Sequence, residues 1–168
     1  MAKATHDSET LAEGQQVISA VAMITSQQQG ETKVFLAKRA DTKKFLPGVY
    51  EMPGGHIDFG EELVTGLKRE VKEELGMDLS VGDCFAAFTY TNEIKKSHTI
   101  EVVYFAMFTS PLDEITIQPE DHSEYNWFSK ADLHEAYTKN KGGDDVEFQI
   151  ISKGFDILEG KAPERQGQ

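Results

Sequence analysis

The stretch "PGGHIDFGEELVTGLKREVKEELGM" runs from Pro53 to Met77. Two glycines follow a proline, a loop follows them, and then apolar residues recur at every fourth place: Leu63, Leu67, Val71 and Leu75. At about 100° per residue these four line one face of a helix. The spacing predicts that helix from Glu61 or Glu62 to Leu75, with Gly76 as its stop. Gly66 inside it lowers its intrinsic stability a little. The stretch carries five glutamates, and Glu70, Glu73 and Glu74 stand as i, i+3 and i+4. Side chains so spaced are neighbours, and here they flank the apolar stripe at the edge of the core. Like charges this close repel by roughly a few tenths of a kcal/mol per pair, and by more beside a low-dielectric wall. Two readings stand side by side at this point. One is a solvated acidic face, partly neutralised by Lys68, Arg69 and Lys72. The other is a ridge for a hard divalent cation, Mg²⁺ or Mn²⁺, which takes oxygen ligands. Pro53-Gly54-Gly55 reads as a tight turn where backbone approaches a ligand, with a carbonyl to join the carboxylates.

The rest of the chain narrows the choice. Its 168 residues suit one domain with a core, and 39% hydrophobic with 27% charged residues is the composition of an ordinary globular protein. There are 17 basic and 29 acidic residues, a net charge of −12. That excludes a protein that grips DNA or RNA through phosphates, which needs a density of Lys and Arg. A small phosphorylated ligand is still compatible, because divalent cations bridge carboxylate to phosphate. The single cysteine, Cys84, excludes an internal disulfide and a cysteine zinc site, and reads as a packed strand residue. With no apolar signal-peptide core and no bilayer-length apolar run, the expected location is cytoplasmic.

Residues 1–15 and 161–168 are polar and expected to be loose, around a single domain over 16–160. Gln16–Thr25 and Lys33–Arg39 read as paired strands around a turn in "QQQGET", with a short strand at Val49–Met52. "CFAAFTYTNE" and "HTIEVVYFAMFT" read as two longer strands joined through "IKKS", and "EYNWFS" as a short one. "SKADLHEAYTK" reads as a helix capped by Ser129. "DVEFQIISKGFDIL" reads as a last helix with Phe148, Ile151, Phe155 and Leu158 on one face. Strands and helices mix without βαβ alternation, so the expectation is an α/β (α+β) fold: a mixed sheet with helices on both faces.

The pieces around the helix also match a known pattern. Gly55, Glu61 and then Arg69-Glu70-Val71-Lys72-Glu73-Glu74-Leu75-Gly76-Met77 fill every fixed position of the Nudix hydrolase signature over 23 residues, about a seventh of the chain. The chain therefore resembles the Nudix hydrolases, the MutT-like pyrophosphohydrolases of nucleoside diphosphates joined to a group X. That resemblance implies an α/β/α sandwich. It also implies Glu73 and Glu74 as principal metal ligands, and Glu70 as a ligand or the base that activates water. The Gly55 carbonyl would complete a metal's shell. Arg69 would orient glutamates, and Glu61 would support the loop, the substrate or a further metal. Outside the signature, Arg39 matches a position where related proteins place a phosphate-contacting arginine. Asp121 best matches a further metal-binding acid, with Glu120 next, and Glu124 is placed to meet the substrate's base.

Other chemistries find no support. "NKGGDDVEF" lacks the Gly-Lys-Ser/Thr of a P-loop, the five histidines lack zinc spacing, and no Gly-x-Ser-x-Gly elbow is present. The expected function is Mg²⁺-dependent hydrolysis of a diphosphate linkage, Mn²⁺ substituting. The first substrate class is a nucleoside triphosphate, giving monophosphate and pyrophosphate. Alternatives are a nucleotide sugar, a dinucleoside polyphosphate, or a non-catalytic nucleotide sensor. The partner is a small nucleotide rather than nucleic acid or membrane, with a homodimer compatible.

Overall fold

The structure is a computed structural model that describes residues 16–137 and 145–161. The expected loose segment 1–15, the tail beyond Lys161, and residues 138–144 of the glycine-paired loop lie outside the described residues.

Strand β1 (Gln16–Gln28) and strand β2 (Glu31–Arg39) are joined by a two-residue turn at Gln29 and Gly30, both with positive φ (53° and 81°). Such a turn matches the twist of the strands it joins, so the ladder closes at Gln28–Glu31 and the turn is shorter than "QQQGET" suggests. There follow β3 (Tyr50–Glu51), β4 (Gly54–His56), α1 (Leu63–Leu75), β5 (Leu79–Asn92) and β6 (Ser97–Phe108). After a short 3₁₀ turn at Leu112–Glu114 come β7 (His122–Ser129), α2 (Leu133–Tyr137) and α3 (Val146–Leu158).

The sheet runs β3-β2-β1-β6-β5, with β4 also paired to β1 and β7 to β2. It is mixed: β1 and β6 are parallel, and the other pairs are antiparallel. Alternation along the central strands divides the core. Ala20, Ala22, Ile24, Phe35 and Ala37 face α1, where Leu67, Val71 and Leu75 are fully buried. Val21, Met23, Val34 and Leu36 face the other way, onto Leu133 of α2 and Ile151 and Phe155 of α3. Central strands covered on both faces are apolar on both faces, which is why residues 19–24 and 34–37 are buried without a break. The result is the expected α/β/α sandwich.

One feature of the topology creates the site. β1 and β2 pair only near their turn, Thr25–Gln28 against Glu31–Val34. Beyond it they part, β1 taking β4 and β6 as neighbours while β2 takes β3 and β7. The sheet is a fork, and backbone partners are found on each arm separately.

Several local readings are corrected. Helix α1 begins at Leu63, with Glu62 as its N-cap: the carboxylate accepts from the N–H groups of Val64 (3.1 Å) and Thr65 (2.8 Å). Ser129 ends β7 rather than capping α2; its hydroxyl and Asp132 bond each other and close the turn before Leu133. Cys84 lies in β5 as expected but is exposed, because the β5–β6 register shifts on both sides of it and turns it out of the core. Leu158, at the end of α3, overshoots the core and is 47% exposed.

Candidate active site

A cavity of about 540 Å³ opens at the fork. It takes side chains from β1, from the end of β2, from β3 and β4, from α1, from β5 and β6, and from the starts of β7 and α3. The acids Glu51, Glu70, Glu74, Glu101, Asp121 and Glu147 are among its lining residues. The basic side chains among them are Arg39 and Lys43.

The glycine pair is not a turn. Gly54 and Gly55 form β4, in register with Val21 and Ala20 of β1. Gly54 has φ +141°, and a Cβ there would overlap the carbonyl of Ala20. A Cβ on Gly55 would fall 2.5 Å from Oε2 of Glu70. Only a residue without a side chain lets that carboxylate lie against the strand. One helical turn on, Glu74 Oε2 accepts from the Gly54 N–H at 3.3 Å. Two acids at i and i+4 on α1 are therefore set side by side against bare backbone. Glu70 is 5% exposed. Burial pushes the Glu74 carboxyl well above the ordinary carboxylate range, and the charges of Glu51 and Glu70 push it further.

Arg69 holds this arrangement from behind. Its Nε and one terminal nitrogen grip the two oxygens of Glu61 at 2.7 and 3.0 Å. The same terminal nitrogen also donates to the His56 carbonyl at 3.1 Å, and the other meets Glu70 Oε1 at 2.8 Å and Glu73 at 3.4 Å. The hydrogen bonds to Glu61 lead in raising the Arg69 pKa, so it stays charged at all ordinary pH. Glu61 also accepts from the Asp58 N–H (2.9 Å), which ties the loop after β4 to the helix.

Of the residues singled out in the sequence, Arg39, Gly55, Glu70, Glu74 and Asp121 meet at the cavity. Arg69 and Glu61 stand behind its wall. Glu73 is on the outer side of α1 with its side chain 55% exposed, and is not among the lining residues. Glu124 is outside the lining too, taken up by Tyr50 (2.8 Å) and Lys38 (3.3 Å). Glu120, the second choice at the next acid, is exposed and also outside it.

Sequence reasoning passed over Glu51, His122, Glu147 and Lys43. Glu147, in the first turn of α3, reaches across to accept from the Met52 N–H at 2.9 Å. Glu51 bridges Arg39 (3.3 Å) and His122 Nε2 (2.9 Å). Burial alone would raise the Glu51 carboxyl, but Arg39 and His122 outweigh it and hold it down at about 2. A carboxyl depressed on folding contributes stability above its unfolded pKa and loses it as pH falls through the folded value. Wild type should therefore exceed Glu51→Gln by about 3 kcal/mol at neutral pH. Denaturant titrations at successive pH values should show the difference shrinking between about pH 4.5 and pH 2. A difference that does not change across that window would remove the assignment of Glu51 as the anchor of Arg39.

The profile of the NUDIX domain matches residues 16–147. The chain belongs to the Nudix family. Among curated relatives, the nucleoside triphosphatase NudI of Escherichia coli O139:H28 is 27% identical over 113 residues, 62% of this chain and 79% of that protein. Among solved structures, a MutT protein from Methanosarcina mazei is 24% identical with a TM-score of 0.67, covering 89% of this chain and 99% of that one. A binary complex of the C. elegans Ap4A hydrolase is 22% identical with a TM-score of 0.70, covering 86% and 98%. These two likenesses establish the Nudix fold. As a Nudix protein the chain is a pyrophosphohydrolase, acting on acid anhydrides of phosphorus.

Nudix hydrolases generally use divalent metal ions. The donors here suit one: the acids at the cavity offer only oxygen, and Glu74 is a half-buried carboxylate whose charge its surroundings oppose. Among the described residues no three His, Cys, Asp or Glu side chains already converge as a coordination shell; the acids surround the cavity instead. No helix among them is long and apolar enough to cross a membrane.

Proposed function

We propose that the protein is a Mg²⁺-dependent nucleoside triphosphate pyrophosphohydrolase that releases a nucleoside monophosphate and pyrophosphate. The observation that carries this reading is the seat of Glu70 against Gly55, with Glu74 on the Gly54 N–H beside it, in the same cavity as Arg39. The likeness to a nucleoside triphosphatase at 27% identity supports the triphosphate as first substrate. Glu73, Glu74, the Gly55 carbonyl and Asp121 would hold the cation, with Glu70 as a further ligand or as the base that activates water. A bound Mg²⁺ or Mn²⁺ supplies positive charge to the phosphate oxygens and Lewis acidity at the reacting centre.

The chain's own groups do the rest. Arg69 fixes Oε1 of Glu70, and Oε2, on the side of Gly55, takes the proton of the attacking water. Arg39 steadies the phosphates, its guanidinium held flat by Glu51 and the Phe45 carbonyl (2.9 Å). Glu61 acts through Arg69, and Glu124, outside the cavity on β7, would meet the base only by leaving Tyr50 and Lys38. The partner is a small nucleotide in the cytoplasm, with no nucleic acid or membrane surface, and the chain is compatible with a homodimer.

A panel of nucleoside triphosphates, nucleotide sugars and dinucleoside polyphosphates, assayed with Mg²⁺ or Mn²⁺ in heavy-oxygen water, tests the reading. Triphosphates should give monophosphate and pyrophosphate, and the position of the label identifies the attacked phosphorus. Preferred turnover of a nucleotide sugar or dinucleoside polyphosphate moves the substrate to those classes. Binding without turnover of any compound makes the protein a sensor. Excess chelator should lower turnover by on the order of a thousandfold. Undiminished turnover in chelator would remove the cation from the reaction.

A further inference from the structure

Lys43 belongs to the segment between β2 and β3 that walls one side of the cavity. Its position is set by backbone. The Asp121 carbonyl accepts from the Ala40 N–H at 2.9 Å, and the Ala40 carbonyl accepts from the Lys43 N–H at 3.1 Å. The Lys43 Cα is thus fixed relative to Asp121 by two hydrogen bonds that do not involve its side chain. The ammonium, on its four-carbon arm, donates to Asp121 Oδ1 at 2.7 Å. Lys43 is 16% exposed at its side chain and Asp121 40%, so solvent reaches the pair from the carboxylate side. Water can take over the half-exposed carboxylate when the ammonium leaves it, so the pair can be exchanged for another anion at the cavity.

The two basic lining residues are not alike. Arg39 is locked in place by Glu51 and by the Phe45 carbonyl, and its planar fork has a fixed aim. Lys43 has one acid on a movable arm. The cavity is otherwise rich in acids, so an entering diphosphate meets repulsion and little positive charge. A phosphate oxygen, which carries more charge, is a stronger competitor for an ammonium than a half-exposed carboxylate set among other acids.

We infer that Lys43 is a phosphate-binding residue kept in reserve: it exchanges the Asp121 carboxylate for a phosphate oxygen when substrate enters, and Asp121 is the gatekeeper that holds it until then. This rests on the proposed nucleotide-hydrolysing function, and it adds a substrate-binding residue and a competing acid on a segment outside the signature. It requires no movement of backbone, since the turn that carries Lys43 is pinned independently of the ammonium.

The test is binding rather than turnover. A nucleoside triphosphate with a methylene bridge between its α and β phosphorus atoms is titrated calorimetrically into the full chain, once in excess chelator and once in Mg²⁺. In chelator, Lys43→Met should weaken binding about tenfold and Lys43→Arg should stay within about twofold of wild type. Asp121→Asn should tighten binding about threefold in chelator, because the competitor is gone. In the Lys43→Met background the Asp121→Asn change should have no effect, since there is no ammonium left to release. In Mg²⁺, Lys43→Met should again weaken binding. Near-wild-type thermal melts for all variants establish that folding is intact.

Wild-type affinity in Lys43→Met would overturn the inference and leave the proposed function standing. So would an Asp121→Asn effect that persists without Lys43. If the analogue binds wild type in neither condition, the proposed function falls and the inference falls with it.

Discussion

Glu70→Gln should lower kcat by about a thousandfold, with KM and the fold little changed. The expectation follows from three contacts. Glu70 is nearly fully buried, one oxygen is held by Arg69, and the other lies where Gly55 lacks a side chain. Glutamine fills the same space and removes the charge and the proton acceptor. Steady-state kinetics on the preferred triphosphate, with a thermal melt for each variant, is the measurement. A loss below about tenfold would take the proton transfer away from Glu70. The same change at Glu73 separates a ligand from a rim charge, because its carboxylate points outward toward solvent and Arg69. A loss comparable to that of Glu70→Gln places Glu73 at the cation. A change under about threefold confines the cation to the acids that line the cavity.

Gly55→Ala is the second large effect expected, and it tests geometry rather than charge. The added methyl would sit 2.5 Å from Oε2 and 2.7 Å from Cδ of Glu70. Something must move, and the carboxylate is the group facing the methyl. Displacing it by about 1 Å from its working position should cost about a hundredfold in kcat, through misplacement alone. Stability should fall by only about 1–2 kcal/mol, because the strand partners of β4 are untouched. Measuring kcat together with the denaturation midpoint separates the two. Normal turnover in Gly55→Ala would mean that Glu70 need not lie against the strand.

How much of this was legible in the sequence depends on how far apart the cooperating residues lie. Helix α1 could be read because all its signals are local: Leu67, Val71 and Leu75 recur with the helical period, and Glu70 and Glu74 are brought together by the helix itself. Both central strands could be read from runs that stay apolar on both faces. The two-layer cover of the sheet followed from three helices and no βαβ alternation. Gly54 and Gly55 were misread as a turn because glycine marks two different demands, a bend or a close approach, and the sequence does not say which. Here the approach is that of a side chain some fifteen residues further on, visible only once α1 packs on β4. Glu51, His122 and Glu147 come from β3, β7 and α3, and no spacing links them. An acid in the first turn of a helix, such as Glu147, reads as a response to the helix dipole; its reach to the Met52 N–H is a tertiary event. Cys84 was expected inside because apolar neighbours surround it in the chain, and the register shifts of β5 turned it outward.

The fork between β1 and β2 bears on how such a molecule can diverge. Residues 40–48 form the loop between the paired strands β2 and β3, on the arm of the fork that β1 leaves after its last rung with β2 at Thr25–Val34. Chain inserted there, or removed, leaves those rungs and the α1 ridge where they are. One arm can drift toward new cargo while the other keeps its inherited chemistry, and neither change needs the other's permission.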